Sequence, residues 1–437
     1  MAGPPRVGAE PLHIGIAGLG TVGSAVLRLL EQNSALIADR AGRELRVVAV
    51  SARNRQRDRG VPLDRLRWYD DPLALAADPE VELVVELMGG ADGPALALCQ
   101  AALAAGKPVV TANKALLARH GAELARLADA KGVTIGFEAA VAGGIPIVKT
   151  LREGLVGNRI RRVYGILNGT CNYILTTMRE TGRAFDDVLR EAQQLGYAEA
   201  DPSFDIDGVD TAHKLALLSA LAFGCLPDFA AVYTEGIRHV SPLDIAFASE
   251  MGYRIKLLGV ARLTEHGLEQ RVHPSMVRTG SPISQVEGVF NAVVAEGDQV
   301  DTTLYAGRGA GGGPTASAVV ADLADLAKGA CLPVFGVPGT LLTRLPRAPM
   351  DRHYGAYYFR LMVVDKPGVM ADVAACLRDH EVSIEALIQR ARNPGEPVPI
   401  VLTTHEVAEA RMTGALARIG RLEAVLEPPR MIRIESL

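Results

Sequence analysis

A short apolar strand, a glycine turn and an amphipathic helix follow one another near the N-terminus, and that order constrains the fold more than any other feature. His13-Ile14-Gly15-Ile16-Ala17 reads as the strand, Gly18-Leu19-Gly20-Thr21-Val22-Gly23 as the turn, and Ser24 to Gln32 as a helix with Val26, Leu27, Leu29 and Leu30 on its apolar face. A GxGxxG on its own says little. Between a strand and a helix the glycines divide the work. The first makes the tight turn, the second admits a pyrophosphate, and the third lets helix close on strand. The helix N-terminus then faces the phosphate. Gly18, Gly20, Thr21, Val22 and Gly23 are therefore candidate cofactor-binding positions in a Rossmann-type α/β domain.

The next strand, from Leu45, should end at the residue that reads the adenine ribose. An NAD site places an acid there. This chain has Ser51-Ala52-Arg53-Asn54-Arg55-Gln56-Arg57-Asp58-Arg59 instead, and Arg53 is the arginine nearest the strand end. That pattern predicts NADP at least as readily as NAD.

The βα alternation continues to residue 138 through strands at 81–88, 108–110 and 133–138 and helices ending at Ala105 and spanning 115–131. Ligands in such sheets sit outside the carboxyl ends of the strands, where Gly89, Gly90, Asn113 and Lys114 fall. A lysine opening a helix opposes the helix dipole, so Lys114 is expected to face an anion or a substrate.

From 139 the pattern changes to an α+β domain, 139–332, with strands expected at 160–167, 231–241, 257–263, 268–276 and 289–305. Within it, Gly307 to Thr315 is a second glycine-rich approach to a helix, 315–330. Gly309 and Gly311 become further cofactor candidates, and this helix is a candidate to return to the first domain, 1–138. A proline-rich linker, 333–355, precedes a unit at 356–437 read as βαββαβ, a ferredoxin-like sandwich with a turn at Asn393-Pro394-Gly395.

The helix around 209–225 carries the most unusual charge. From Thr211 to Cys225 only His213, Lys214 and the cysteine can ionise, and the Lys214 face continues through Leu217, Leu218 and Leu221. Asp210 lies one turn before Lys214 on that face. A solvated ion pair normally shares its face with other polar groups. A partly desolvated lysine suits proton transfer, although an ordinary helix-start salt bridge fits the spacing too.

Composition sets the remaining bounds. A net charge of −4 in 437 residues, without a sustained basic stripe, gives no general attraction to nucleic acid or anionic membrane. The five cysteines show no CxxC spacing and read as reduced thiols of a cytoplasmic protein. No apolar run is long enough to span a bilayer, and residues 1–11 do not have the build of a signal peptide.

These residues resemble one family closely, the monofunctional homoserine dehydrogenases. The pattern Ala192, Gly196-Tyr197-Ala198, Asp201-Pro202, Asp205-Ile206, Gly208, Asp210 and Lys214 looks like that family's signature. The turns Met88-Gly89-Gly90, Thr111 to Lys114 and Leu167 to Thr170 are similar as well, and the likeness covers roughly 12–345. Leu87 departs from it, since many relatives carry a small hydroxyl residue there. Residues 356–437 resemble an ACT domain, opened by Asp365-Lys366-Pro367-Gly368. No kinase domain precedes the glycine turn, which points away from the bifunctional form.

The resemblance implies reversible NAD(P)H-dependent reduction of L-aspartate 4-semialdehyde to L-homoserine, in threonine, methionine and isoleucine biosynthesis. It implies Lys214 as the proton donor, Lys114 as a second lysine near the reacting oxygen and at the cofactor, and Glu199 and Asp210 as negative charge for the substrate ammonium. Gly196 and Glu199 would border the nicotinamide. Backbone oxygens around Glu138, Val141, Gly143 and Ile145 resemble a structural sodium site. A homodimer or homotetramer, with threonine as effector at the ACT unit, completes the expectation. Two rival classes are weaker. A 2-hydroxy-acid dehydrogenase needs a His–carboxylate pair that the nine histidines do not offer, and a non-catalytic sensor would have no need of Glu199, Asp210 and Lys214 together.

Overall fold

Strand β1, Leu12–Ala17, leads directly into the glycine turn and the helix Thr21–Gln32. Around it the computed structural model builds a parallel sheet with β2 (Leu45–Ser51), β3 (Arg67–Tyr69), β4 (Leu83–Glu86), β5 (Val109–Thr111) and β6 (Ile135–Gly136). Their order is β3-β2-β1-β4-β5-β6, the doubly wound nucleotide-binding arrangement. The structure describes residues 10–390 and 396–437, so the opening residues 1–9 and the turn expected at 393–395 lie outside the described residues.

By internal contacts the chain divides into two units. The first takes in the chain as far as Gly169 together with Asp210–Val232 and Phe290–Leu345, and the second comprises Thr170–Val209, Tyr233–Val289 and Pro346–Leu437.

In the first unit one face of the sheet is completed from far along the chain. Ala316, Val319 and Leu323 of the helix Gly312–Ala327 are fully buried in one core with Ile14, Ile16, Val26, Val85 and Val110. An apolar stripe that finds no cover in its own neighbourhood is buried here against the early helix and sheet. The same unit holds an antiparallel set, Ile160–Ile166, Phe290–Gly297 and Asp301–Arg308, and most of the helix Val209–Phe223. The single strand expected at 289–305 is in fact a hairpin. Asn158 Oδ1 accepts the amides of Gln299 and Val300 and holds its turn, with Asp301 at φ +59°.

The second unit is built on the hairpin Tyr253–Thr264 and Gly267–Arg278. The strand expected at 231–241 shrinks to Tyr233–Thr234. Gly236 backs onto Ile206 so closely that a Cβ there would lie 2.1 Å from the Ile206 carbonyl oxygen. Ser241 and Asp244 then form a capping box that starts the helix Pro242–Glu250, where the sequence pattern predicts none.

Beyond the linker come strand Tyr354–Val364, helix Val369–Asp379, strands Ile384–Gln389 and Pro397–Thr404, helix Glu409–Ile419 and strand Arg430–Glu435. In order of appearance the four long strands lie 4-1-3-2, all antiparallel. Val373, Leu377, Met412 and Ile419 of the two helices bury against Phe359, Leu361, Ile400 and Leu402 of the sheet. The strand expected from 422 begins only at Arg430, because Pro428-Pro429 cannot donate to a ladder.

Residues 356–437 were expected to be separate, and the structure corrects this. Strand Arg430–Glu435 pairs in parallel with Gly267–Arg278, matching Ser275 to Arg433 and Val277 to Glu435, so one sheet runs through both. Nor is the segment 333–355 a free linker. Phe335 is buried with its ring centroid 5.5 Å from that of Phe137, and Leu226 donates its amide to the Thr343 carbonyl at 2.9 Å.

Candidate active site

The three glycines of the first turn differ in their surroundings. Gly18 has φ +99°, and a Cβ on it would lie 2.5 Å from the Leu87 carbonyl oxygen. A Cβ on Gly23 would come within 2.0 Å of the Gly18 oxygen, which bars any side chain there. Around Gly20, by contrast, a Cβ would meet nothing within 4 Å. This open position sits at the start of a twelve-residue helix whose N-terminus has no side-chain cap. A phosphate completes such an end, so these residues fit the pyrophosphate of a dinucleotide, with Thr21 and Val22 supplying the first helical amides.

The later glycines join this turn. A Cβ on Gly312 would meet the Thr21 methyl at 3.3 Å, and the two helices pack along their length. Gly311 is exposed, with φ +111°. Gly309 is buried where a Cβ would strike Asn291, and its carbonyl oxygen lies 2.4 Å from a Cβ built on Gly143. Packing therefore accounts for Gly309 more directly than for Gly311.

Arg53 stands exposed just past the end of β2, as do Arg55 and Arg57. Arg59 is spent on the backbone: its Nε donates to the Leu19 carbonyl at 3.2 Å and its Nη1 to the Arg57 carbonyl at 2.7 Å. It ties the basic loop to the glycine turn. No local pattern separates this arginine from the other three.

The two lysines converge on one carboxylate. Asp210 is buried. Its Oδ2 accepts from Lys214 Nζ at 2.7 Å and from Asn168 Nδ2 at 2.9 Å, while Oδ1 faces Lys114 Nζ at 2.9 Å. Lys214 Nζ also donates to the Leu167 carbonyl at 2.7 Å and is almost fully enclosed, whereas Lys114 keeps about a third of its side chain exposed. Burial alone would push the Asp210 pKa up. The ammonium groups of Lys214 and Lys114 overcome that and hold it well below the usual carboxylate range. Lys114 is the first residue of the helix Lys114–Lys131 and meets an anion there, as its position against the dipole predicts. Sequence reasoning singles out the lysines and Asp210 but gives Asn168 no role.

Glu138 and its neighbours form a buried loop. Both carboxylate oxygens are engaged, Oε1 with the Val148 amide at 2.8 Å and Oε2 with the Lys149 amide at 2.9 Å. Gly143 turns the chain at φ +54°, and the Ile145 carbonyl accepts from Ile147 N at 2.8 Å. Gly196 and Glu199 belong to the second unit. Gly196 turns the chain after the helix Phe185–Gln194 at φ +73°, and Glu199 has an exposed side chain and a carbonyl that accepts from Gln193.

The model of the homoserine dehydrogenase family matches residues 146–324, and that of the homoserine dehydrogenase NAD-binding domain matches residues 18–138. A homoserine dehydrogenase of Pseudomonas aeruginosa is 47% identical, with 98% of this chain and 100% of the relative covered. The chain belongs to the homoserine dehydrogenase family. The crystal structure of a homoserine dehydrogenase from Thiobacillus denitrificans superposes with a TM-score of 0.92 at 48% identity, covering 97% of this chain and 98% of that one. A hyperthermophilic archaeal homoserine dehydrogenase in complex with NADPH is 29% identical, with a TM-score of 0.62, covering 72% of this chain and 97% of that one. As a homoserine dehydrogenase the enzyme catalyses the reversible NAD(P)H-dependent reduction of L-aspartate 4-semialdehyde to L-homoserine. Among the described residues no helix is long and apolar enough to cross a membrane.

Proposed function

We propose that Lys214 passes the proton in this reaction and that Lys114 stabilises the developing oxyanion. The observation that carries this reading is the pair of ammonium groups on the single buried carboxylate of Asp210. The bound nicotinamide supplies or takes the hydride. As the aldehyde carbon is reduced, its oxygen gains negative charge and needs a donor already in place. An ammonium held by Asp210 and the Leu167 carbonyl, with Asn168 bracing the same carboxylate, has little freedom to reorient, so its proton is kept on a fixed line. In the oxidative direction the same nitrogen, deprotonated, accepts the hydroxyl proton.

Glu199 and Asp210 offer charge to the substrate ammonium. Asp210 can do so only by sharing oxygens already taken by lysines, so its larger contribution is to position them. Gly196 and Glu199 border the nicotinamide in this reading. Gly311, with Gly309 behind it, closes the cofactor site from the late helix. NADP is the preferred cofactor, held at its 2′-phosphate by Arg53, with NAD also usable.

The carbonyls of Glu138, Val141, Gly143 and Ile145 would hold a sodium ion. Support comes from the glycine kink at 143 and from a carboxylate already committed to amides, which leaves main-chain oxygens as the donors. The 4-1-3-2 antiparallel order with two helices on one face supports a ferredoxin-like ACT unit at 356–437, with threonine as its effector in a cytoplasmic homodimer or homotetramer. Threonine, methionine and isoleucine synthesis is the setting for such regulation.

Initial rates with L-homoserine and each cofactor test the catalytic part. Lys214→Ala should lower kcat at least about 100-fold, the low end for acid–base catalysis. Arg53→Ala should raise KM for NADP more than for NAD. Near-normal turnover in the first variant would remove Lys214 from the mechanism, and equal losses in the second would move the phosphate contact to Arg55 or Arg57.

A further inference from the structure

Glu86 ends β4 and is fully buried in an otherwise apolar strand. Its Oε1 accepts the amides of Met88 at 2.7 Å and Gly89 at 3.1 Å, and its Oε2 accepts the Thr111 hydroxyl at 2.7 Å. Thr111 Oγ1 in turn accepts the Asn113 amide at 3.0 Å. Asn113 donates its Nδ2 to the Gly90 carbonyl at 2.7 Å and caps the next helix by accepting from Leu116 N at 3.1 Å. The contacts close into a ring, from Glu86 through Thr111 and Asn113 to Gly90 and back. It joins the carboxyl ends of two neighbouring parallel strands, where a ligand of this fold binds.

We propose that Glu86 is a positioning residue for hydride transfer: it fixes the Leu87–Gly90 turn against the nicotinamide and, through Thr111 and Asn113, sets Lys114 in line with Asp210. The turn needs such a hold. Gly89 and Gly90 both have positive φ, at +79° and +88°, and two successive glycines would otherwise leave its shape open. With its two oxygens the Glu86 carboxylate accepts from three donors at once. A glutamine would aim its amide hydrogens at Thr111, which already uses one lone pair on Asn113 and would be left with a hydroxyl proton and no acceptor. The ring ends one residue before Lys114, whose ammonium lies 2.9 Å from Asp210. Orientation of the turn and of the lysine therefore share one anchor.

The inference rests on the reading of Lys114 as a catalytic group, and the test separates the two. Glu86→Gln, Thr111→Val, Thr111→Ser and Lys114→Ala are compared for melting temperature, KM of each substrate, kcat, and the kinetic isotope effect with NADPH deuterated at the transferred position. Glu86→Gln and Thr111→Val should lower kcat at least tenfold with cofactor KM changed less than about threefold, and should raise the isotope effect on kcat. Thr111→Ser should restore both. A fall in melting temperature with kcat and isotope effect of the folded enzyme unchanged would overturn the proposal and leave Glu86 a structural residue. The proposal fails equally if only cofactor KM moves. If Lys114→Ala keeps its turnover, the catalytic reading of Lys114 fails instead, and Glu86 keeps only its hold on the turn, judged by the isotope effect alone.

Discussion

A carboxylate taken out of water stays ionised only where neighbours replace its hydration, and this chain contains both outcomes. Asp210 has an ammonium on each oxygen and is held well below its ordinary range. Asp322 is equally buried but sits beside the Glu138 carboxylate. Burial and that like charge push its pKa up to about 7, against the partial relief of Lys149, whose Nζ is 3.9 Å away. Glu138 is raised as well, chiefly by burial. An acid whose folded pKa is raised keeps its proton in the folded state while the unfolded chain releases it, so stability falls as pH rises between the two values. For Asp322 that window runs from about 4 to about 7, and the loss across it is on the order of 4 kcal/mol. Asp322→Asn keeps an acceptor for the Glu138 amide, now bound at 2.9 Å, and removes the titration. Thermal melts at a series of pH values should show the variant gaining on the native chain from about pH 4 to about pH 7. A difference independent of pH would mean that Asp322 does not hold its proton. Asp210 was legible because Lys214 four residues on interrupts an apolar face. Asp322 was not, since its approach depends on Gly136, where a Cβ would lie 2.7 Å from the Asp322 Cβ, a contact between residues far apart in the chain.

Among the elements, the glycine turn shows how far local pattern reaches. Its strand, turn and helix were readable because all three lie in one short stretch and each obeys its own period. Its glycines also differ in what they tolerate. Gly20→Ala places a methyl in open space at φ −81°, so the fold should keep its melting temperature while cofactor KM rises several-fold. Gly23→Ala forces a carbon into the Gly18 carbonyl and should lower both stability and cofactor affinity. Calorimetric melting of the free enzymes beside cofactor titrations would distinguish them. Equal melting losses in both variants would mean that Gly20 is structural rather than a place for phosphate. The elements that went unread failed for physical reasons. Ser241 and Asp244 cap a helix inside a run rich in β-formers, and Glu86 alternates into an apolar strand where a lone acid carries no periodic signal.

At the scale of the whole chain, long-range pairing decides what a C-terminal module can be. The proline-rich approach and the βαββαβ order read as an appended unit, because no local pattern announces that a last strand will pair with one far earlier in the chain. Strand Arg430–Glu435 does so, and the pairing is sealed by buried charge. Arg271 Nη2 donates to Glu435 at 3.1 Å and its Nε to Glu269 at 2.8 Å, while Arg433 is clasped by Glu409 and donates to Glu235 at 2.9 Å. All of this lies within the second unit. Removing Glu435 takes away one of the two carboxylates that hold the buried Arg271 guanidinium and leaves Glu269 as the other, so the cost stays below the roughly 3–5 kcal/mol of leaving a buried ion wholly unpaired. Glu435→Ala should therefore lower the melting temperature by several degrees without touching any residue assigned to catalysis. Truncation at Pro349 removes Glu435, Glu409 and the covering strand together, and should cost far more than losing a module on a free linker would. Loss of activity in the truncated enzyme would then report unfolding rather than loss of an effector response. A regulatory role for 356–437 is better tested by threonine titration of the intact chain against a full-length variant altered at Asp365. If the truncated enzyme instead melts within a degree or two of the intact one and keeps its turnover, the shared sheet contributes nothing to stability, and the C-terminal unit is the appendage its sequence resembles.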